Sequence, residues 1–174
     1  KVNHLGIIIK YPKTNYNFKK NEKIKLNLVG KDKIKPSIGF IGAGNYASKY
    51  LIPALKKTKS SLNTIISSNG ITSYSNGVRF GFNFLSNNTD DIFLNKDINC
   101  VFIASRHDSH ANYVLNALKH NKNIFCEKPL CLNLKELDEI KKIKNKKNNL
   151  SLMVGFNRRF APLIKVISSL LKPI

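Results

Sequence analysis

Short apolar runs alternate along most of the chain with segments of helical periodicity. The runs mostly lack the apolar–polar alternation of a half-exposed strand, which is typical of strands buried on both faces of a parallel sheet. They fall at residues 38–41, 64–66, 100–104, 123–126 and 150–154. The sequence therefore predicts a series of buried parallel strands.

Three intervening segments carry apolar residues every three or four positions, which is the pattern of an amphipathic helix. They predict helices over residues 46–57, 109–120 and 133–147. We expect the last helix to begin at Asn133, an N-cap with Glu136 as its capping-box partner. The repeated order of strand, helix and strand predicts an α/β fold, a parallel sheet with right-handed crossovers.

Residues 1–36 differ from the rest of the 174-residue chain, which has the length of one domain. They contain ten lysines, only two acidic residues and one short apolar run at residues 5–9. We interpret them as a linker or as the tail of an upstream domain. No apolar run approaches the roughly 18 residues of a membrane-spanning helix, so we expect no membrane partner.

The formal net charge of +20 suggests nucleic-acid binding, but the kind of basic residue argues against it. Four of the 30 basic residues are arginine and the other 26 are lysine, and the chain is also rich in Asn and Ile. These three amino acids share A/T-rich codons, so one genome-wide bias explains all three excesses. A recognition surface would instead cluster basic residues with arginines and aromatic side chains. We therefore expect no specific nucleic-acid partner.

The three cysteines form no C-x-x-C pair and no cluster with metal-ligand spacing, so we expect neither a disulfide nor a metal site. Cys100 and Cys126 fall within apolar runs and are predicted to be buried thiols. This cysteine usage is compatible with a reducing compartment, and we expect a cytoplasmic protein.

The first buried strand runs directly into the sequence G-x-G-x-x-A at residues 42–47, and a helix follows. Gly42 permits a tight turn, Gly44 lets a pyrophosphate approach the backbone, and Ala47 lets the helix pack closely on the strand. The helix start at Asn45 and Tyr46 offers free N–H groups and the positive end of the helix dipole. This context favours a dinucleotide site over a merely structural turn.

The acidic residue that usually ends the second strand and binds the ribose hydroxyls of NAD is missing. No Asp or Glu occurs from Lys33 through Thr89, and Ser67 and Ser68 follow the second strand. Serines would not repel a 2′-phosphate, whereas a carboxylate would. The cofactor is therefore predicted to be NAD or NADP, with a slight preference for NADP. The alternative is that these serines form only a polar turn.

Three later motifs complete the pattern: A-S-R-H-D-S-H at 104–110, I-F-C-E-K-P-L at 124–130 and V-G-F-N-R-R-F-A-P at 154–162. With the glycine turn, they make residues 35–173 resemble the glucose–fructose oxidoreductase, inositol dehydrogenase and MocA family (Gfo/Idh/MocA). The resemblance implies a Rossmann domain, a doubly wound parallel sheet that binds NAD or NADP, and a second α/β domain for substrate. Such proteins oxidise or reduce hydroxyl and keto groups of sugars, cyclitols and their derivatives.

The E-K-P motif is the most specific part of the resemblance, and it makes Lys128 the family's active-site lysine. An ammonium group there would stabilise the alkoxide that develops as hydride leaves a carbon, and it could relay the proton. Pro129 would fix the backbone that carries this side chain. The resemblance places Glu127 by the nicotinamide ribose. The alternative for Lys128 is one more solvated lysine.

Ser105, Arg106 and His107 match a stretch that is commonly Thr-Pro-Asn in the family, and we expect them to contact the cofactor. Arg106 and His107 depart from that pattern. His110 matches the family's histidine at the start of the following helix. It would either contact the cofactor or tie down a loop.

Asn157, Arg158 and Arg159 resemble the segment where the chain leaves the cofactor domain towards substrate. Asn157 and Arg158 are therefore candidate substrate-binding residues, because an arginine there could bind an anionic sugar or a nucleotide-sugar phosphate. A surface arginine at a helix start is the alternative.

The family's second domain, with its catalytic histidine, would follow Pro162, so we expect the C-terminal substrate domain to be absent. The predicted organisation is a linker or tail at 1–36, a dinucleotide-binding domain at 37–157 and the start of a connection at 158–174. A sugar-type substrate would bind only with the missing domain, and this chain alone would show little or no turnover.

Residues 5–12 faintly resemble the closing segment of the alcohol-dehydrogenase half of two-part oxidoreductases, in which such a half precedes a Gfo/Idh/MocA half. This resemblance would make the chain a middle slice, or fragment, of a longer polypeptide. A nucleotide-binding remnant or interaction module without chemistry explains the missing half equally well. A methyltransferase with a similar glycine turn is disfavoured, because the E-K-P motif has no role there.

Overall fold

Seven strands form one sheet in the computed structural model, which describes residues 23–26, 36–67 and 70–171. The strands are β1 (Ile24–Lys25), β2 (Ser37–Ile41), β3 (Ser61–Ile66), β4 (Phe84–Ser86), β5 (Cys100–Ile103), β6 (Asn123–Cys126) and β7 (Leu152–Val154). Their order in the sheet is β1-β4-β3-β2-β5-β6-β7. All neighbours pair in parallel except β1 and β4, which are antiparallel.

Helices connect the strands. A π-helical turn (Ala47–Leu51) leads into α1, and a 3-10 helix (Asn157–Phe160) precedes α6. The α-helices are α1 (Ile52–Lys56), α2 (Gly70–Phe80), α3 (Asp90–Phe93), α4 (His107–Lys119), α5 (Leu134–Asn145) and α6 (Pro162–Leu170).

The apolar core has two parts, one on each face of the sheet. Successive strand residues point to opposite faces, so Phe40 joins one cluster and Ile41 the other. The cluster around Phe40 includes Ile52 of α1, and the cluster around Ile41 includes Val114 of α4 and Ile140 of α5. The predicted doubly wound α/β sheet is therefore confirmed, with helices packed on both faces.

The helices predicted from periodicity lie close to their expected positions. Asn133 caps α5 as expected, because its side-chain oxygen accepts a hydrogen bond from the Glu136 amide at 3.0 Å. The Glu136 carboxylate accepts from the amide of Leu132 at 2.8 Å, one residue before the usual capping-box partner.

Several elements had no clear signal in the sequence. Helix α2 is rich in Gly, Ser, Thr and Asn, which are weak helix formers, and β4 has only three residues. Residues 23–26, within the segment predicted to be a linker or tail, contribute the edge strand β1. The expected apolar run at 5–9 and the dehydrogenase-like segment at 5–12 lie outside the described residues.

The connectivity places a crevice at the carboxyl ends of the central strands. The chain moves outward through β2, β3 and β4 and then returns to β5, which pairs with the other side of β2. Helices that follow two such neighbouring strands diverge to opposite faces, which opens a binding site between them. None of the helices in the described ranges is long and apolar enough to cross a membrane.

Candidate functional site

An open cleft of about 550 Å³ lies where β2, β5, β6 and β7 end. Residues that follow each of these four strands line it. They are Gly44, Asn45, Tyr46 and Ala47 after β2, Ala104, Ser105, His107 and His110 after β5, Glu127 and Lys128 after β6, and Asn157 and Arg158 after β7. The fold thus brings together in one cleft ten of the candidate cofactor-binding, catalytic and substrate-binding residues that sequence analysis selected.

Gly42 lies in the turn after β2 and packs against the backbone that follows β5. Its backbone has a φ of 97°, in the region that favours glycine. A Cβ on Gly42 would lie 2.5 Å from the backbone carbonyl of Ala104 and from the amide nitrogen of Ser105. The Gly42 amide donates to the carbonyl oxygen of Ile66 at 2.7 Å. Gly42 therefore supports the cleft wall without lining the cleft.

Gly44 exposes backbone to the cleft. No described atom lies within 4 Å of the position that its Cβ would occupy. A ligand can therefore approach this backbone closely, and the first-turn amides of the following helix have no intrahelical partner. This is the arrangement that a pyrophosphate requires.

Two polar side chains, which sequence analysis did not select, donate hydrogen bonds to the backbone carbonyl oxygens of this turn. The Ser48 hydroxyl donates to the carbonyl oxygens of Ala43 and Gly44, at 3.2 and 2.9 Å. Asn76 of α2 donates to Ser48 Oγ at 2.8 Å and to the Ala43 carbonyl at 3.3 Å. Asn76 is remote in sequence from the turn, so only the folded chain shows this role.

The E-K-P motif follows β6 and forms the middle of the cleft. The Lys128 side chain is exposed, and the Lys128–Pro129 peptide bond is cis. Glu127 Oε2 accepts a hydrogen bond from the Lys128 amide at 3.3 Å. Glu127 Oε1 is buried and has no hydrogen-bond partner among the described residues. The position that a Cβ would take on Gly155 lies 2.7 Å from this oxygen, so Oε1 packs against the Gly155 backbone.

His110 joins the loops that follow β5 and β6. Its side chain is fully buried. Nδ1 lies 2.7 Å from the carbonyl oxygen of Pro129, and Nε2 lies 3.1 Å from that of Ser105. His110 therefore ties the loop that carries Lys128 to the loop that carries Ser105. Its direct contact with a cofactor stays a prediction.

Some of the expected cofactor contacts lie off the cleft lining. Arg106 is exposed before α4, and Ser67 is half-buried after β3. Pro129 contributes its carbonyl to His110 but does not line the cleft. Ser68 lies outside the described residues. The roles assigned to these four residues stay predictions.

The two arginines after β7 have different surroundings. Arg159 donates to the carbonyl oxygens of Val154 and Phe156, at 2.8 and 3.1 Å. Arg158 lines the cleft, and the described residues provide no hydrogen bond or ion pair to its guanidinium. Arg159 therefore stabilises its own turn, whereas Arg158 is available to a ligand.

The charges of the cleft favour an anion. Lys128 and Arg158 are the cationic side chains in its lining, and Glu127 is the acidic one. No group of three or more His, Cys, Asp or Glu residues that could hold a metal ion occurs in the part of the chain that the structure describes.

Comparison with known proteins gives the same fold. A family model described as oxidoreductase family, NAD-binding Rossmann fold, matches residues 37–156. The uncharacterized oxidoreductase YrbE of Bacillus subtilis strain 168 is 30% identical over 136 residues, which cover 77% of this chain and 39% of YrbE.

Two solved structures share the architecture. Scyllo-inositol dehydrogenase of Lactobacillus casei, with bound NAD(H) and scyllo-inositol, has a TM-score of 0.72 and 24% identity over 78% of this chain and 40% of its own. The 3-ketoreductase KijD10 of Actinomadura kijaniata, in complex with NADP and TDP-benzene, has a TM-score of 0.69 and 21% identity over 78% and 41% of the two chains. This chain therefore spans about two-fifths of the length of these proteins.

Proposed function

Because this chain belongs to the Gfo/Idh/MocA oxidoreductase family over residues 37–156, we propose that its cleft binds NAD or NADP beside Lys128, the active-site lysine. One observation carries this proposal: the open backbone at Gly44 and the exposed Lys128 side chain line the same cleft. A dinucleotide has a phosphate part and a reactive ring at some distance from each other. The cleft offers a matching group to each part.

The residues present fit such a ligand. The amides at the start of the helix after β2 would hold the pyrophosphate. The Glu127 carboxylate, which lines the cleft after β6, would accept a hydrogen bond from a ribose hydroxyl. When bound, the cofactor supplies or accepts the hydride. The Lys128 ammonium would stabilise negative charge on the substrate oxygen and pass a proton to or from it.

We propose NADP as the slightly preferred cofactor. Ser67 directly follows β3, at the position where an acidic residue would disfavour a 2′-phosphate, and no Asp or Glu occurs from Lys33 through Thr89. The related structures hold NAD(H) in one protein and NADP in the other.

We also propose that the whole protein acts on a hydroxyl or keto group of a sugar, cyclitol or nucleotide-sugar. The support is the family and the ligands of the two related structures, scyllo-inositol and TDP-benzene. Asn157 and Arg158 would face the substrate side. The proposed limits are 37–157 for the dinucleotide domain and 158–174 for the start of a connection, because the last strand, β7, ends at Val154.

A titration with NADH and NADPH, monitored by nicotinamide fluorescence, tests the site and its phosphate preference together. We expect saturable binding of one dinucleotide per chain, with NADPH bound at least as tightly as NADH. Binding of neither dinucleotide would refute the function. Binding of NADH tenfold more tightly than NADPH would refute only the NADP preference.

Lysine acetylation followed by mass spectrometry tests where the dinucleotide lies. Saturating NADPH should slow acetylation of Lys128 several-fold. Lys135, an exposed lysine outside the cleft, is the matched control and should react at an unchanged rate. Equal protection of both lysines, or of neither, would place the ligand elsewhere.

A further inference from the structure

A hydrogen bond joins the two outer walls of the cleft. Asn157 Nδ2 donates to the Tyr46 hydroxyl at 3.1 Å, although the two residues are 111 positions apart. Tyr46 begins the helix after β2, Asn157 follows β7, and β5 and β6 lie between these strands. Three strand spacings amount to roughly 14 Å. The Tyr46–Asn157 bond therefore bridges walls that the sheet itself holds well apart.

The turn that carries Asn157 is otherwise held by local bonds. Its other hydrogen bonds across the described residues stay within residues 154–161, including both bonds of the Arg159 guanidinium. The side chains of residues 157–160 are all exposed. The bond to Tyr46 is thus the long-range hydrogen bond of this turn.

The bond also fixes the origin of the Arg158 side chain. Arg158 is the next residue after Asn157, it lines the cleft, and the described residues leave its guanidinium unpaired. Asn157 is bonded to the side chain of a first-turn residue of the helix after β2, and Arg158 lines the same cleft as the amides that would hold a pyrophosphate. A guanidinium in that cleft is a strong partner for phosphate oxygens.

We propose that Tyr46 and Asn157 are positioning residues: their hydrogen bond is a strap that places Arg158 against the pyrophosphate of the bound dinucleotide. This inference rests on the proposed function and gives Asn157 and Arg158 a role in cofactor binding in addition to the substrate-side role proposed above. Without the strap, the turn samples other positions, and Arg158 spends less time near the phosphates. The strap and the charge of Arg158 therefore both contribute to one interaction, the ionic contact between Arg158 and the pyrophosphate.

Tyr46→Phe is the main test, because it removes the hydroxyl but keeps the ring that packs 5.4 Å from the ring of Tyr50. Tyr50→Phe is the matched control, since Tyr50 is exposed on the same helix and does not line the cleft. We expect Tyr46→Phe to raise the Kd for NADPH about fivefold and Tyr50→Phe to leave it unchanged. Asn157→Leu removes the donor from the other wall and should reproduce the effect of Tyr46→Phe.

Arg158→Gln separates positioning from general loosening of the fold. It should raise the Kd for NADPH at least as much as Tyr46→Phe, and the double variant should be no weaker than Arg158→Gln alone. Both single variants should also flatten the dependence of Kd on salt concentration, because each removes the same ionic contact. The proposal would be overturned if the fold-increase in Kd of the double variant equalled the product of the two single increases. It would also be overturned if Tyr46→Phe left the salt dependence of Kd unchanged.

Trypsin cleavage without ligand tests the strap independently of dinucleotide binding. Mass spectrometry would follow fragments that end at Arg158 or Arg159. We expect these cleavages to be at least threefold faster in Tyr46→Phe than in Tyr50→Phe. If the chain binds neither NADH nor NADPH, the proposed function fails, and this rate still decides whether the strap exists. Equal cleavage rates would show that it does not.

Discussion

At the scale of single residues, burial determines the chemistry of the cysteines. Cys126 is fully buried as predicted, whereas Cys100 is only partly buried. Burial, together with the charges of Glu127 and Cys131, raises the pKa of Cys126 from 9.0 to about 12. Burial likewise raises the pKa of Cys100 to about 11. Both thiols therefore hold very little thiolate, the reactive form, near neutral pH.

We predict that iodoacetamide at pH 8 labels the half-buried Cys131 first in the native chain. The Cys126 thiol, with a pKa of about 12, is roughly 10⁻⁴ ionised at that pH. Burial and the charge of Glu136 also raise the pKa of Cys131, but its partly exposed side chain remains open to the reagent. Mass spectrometry of the labelled chain measures the order. Labelling in guanidinium chloride is the control and should modify all three cysteines. Equal native rates for Cys126 and Cys131 would contradict the prediction.

The same pKa values fix the sign of a pH effect on stability. Folding raises the pKa of both thiols above the unfolded value of 9.0. Their contribution to the free energy of unfolding is therefore complete below pH 9. It is lost as the pH rises towards 11 and 12.

At the scale of elements, the two glycines of the turn after β2 have separate tasks. Gly42→Ala should destabilise the chain by about 2–4 kcal/mol, because its Cβ meets backbone and its φ is positive. Gly44→Ala should keep the stability but weaken binding of NADPH at least tenfold, because its Cβ would enter the space left for the pyrophosphate. Thermal unfolding and nicotinamide fluorescence measure the two effects.

Gly81→Ala is the control for the glycine turn. Gly81 also has a positive φ, of 81°, but no described atom lies within 4 Å of its Cβ position. Its substitution should cost only the strain of the backbone, about 1–2 kcal/mol, and should leave NADPH affinity unchanged. A Gly44→Ala variant that unfolds, or that binds like the unsubstituted chain, would disprove the division of tasks.

At the scale of the whole molecule, we predict dinucleotide binding without turnover. The family resemblance places a catalytic histidine after Pro162, and the 174 residues span about two-fifths of the length of the related proteins. Helix α6 leaves Leu163 and Leu170 about three-quarters exposed. NADPH oxidation in the presence of keto sugars, followed by absorbance, should equal that of the Lys128→Ala variant. A rate above this control would contradict the prediction, and full activity would remove the need for a second domain.

Local patterns in the sequence were enough to predict much of the fold and of the cleft lining. Buried parallel strands, the glycine turn and the E-K-P motif each depend on neighbouring residues, because apolar runs report burial and only glycine fits certain backbone positions. The sequence therefore predicted the sheet, the edge that carries the cleft and ten of the residues in its lining.

Only the tertiary structure decided which side chains meet. The bridge from His110 to the Pro129 and Ser105 carbonyls, the support of the turn by Asn76 and the Tyr46–Asn157 bond join residues on different elements. The absence of Arg106 and Ser67 from the cleft lining has the same origin. Such contacts depend on how several strands and helices pack at once, and no single stretch of sequence carries that information.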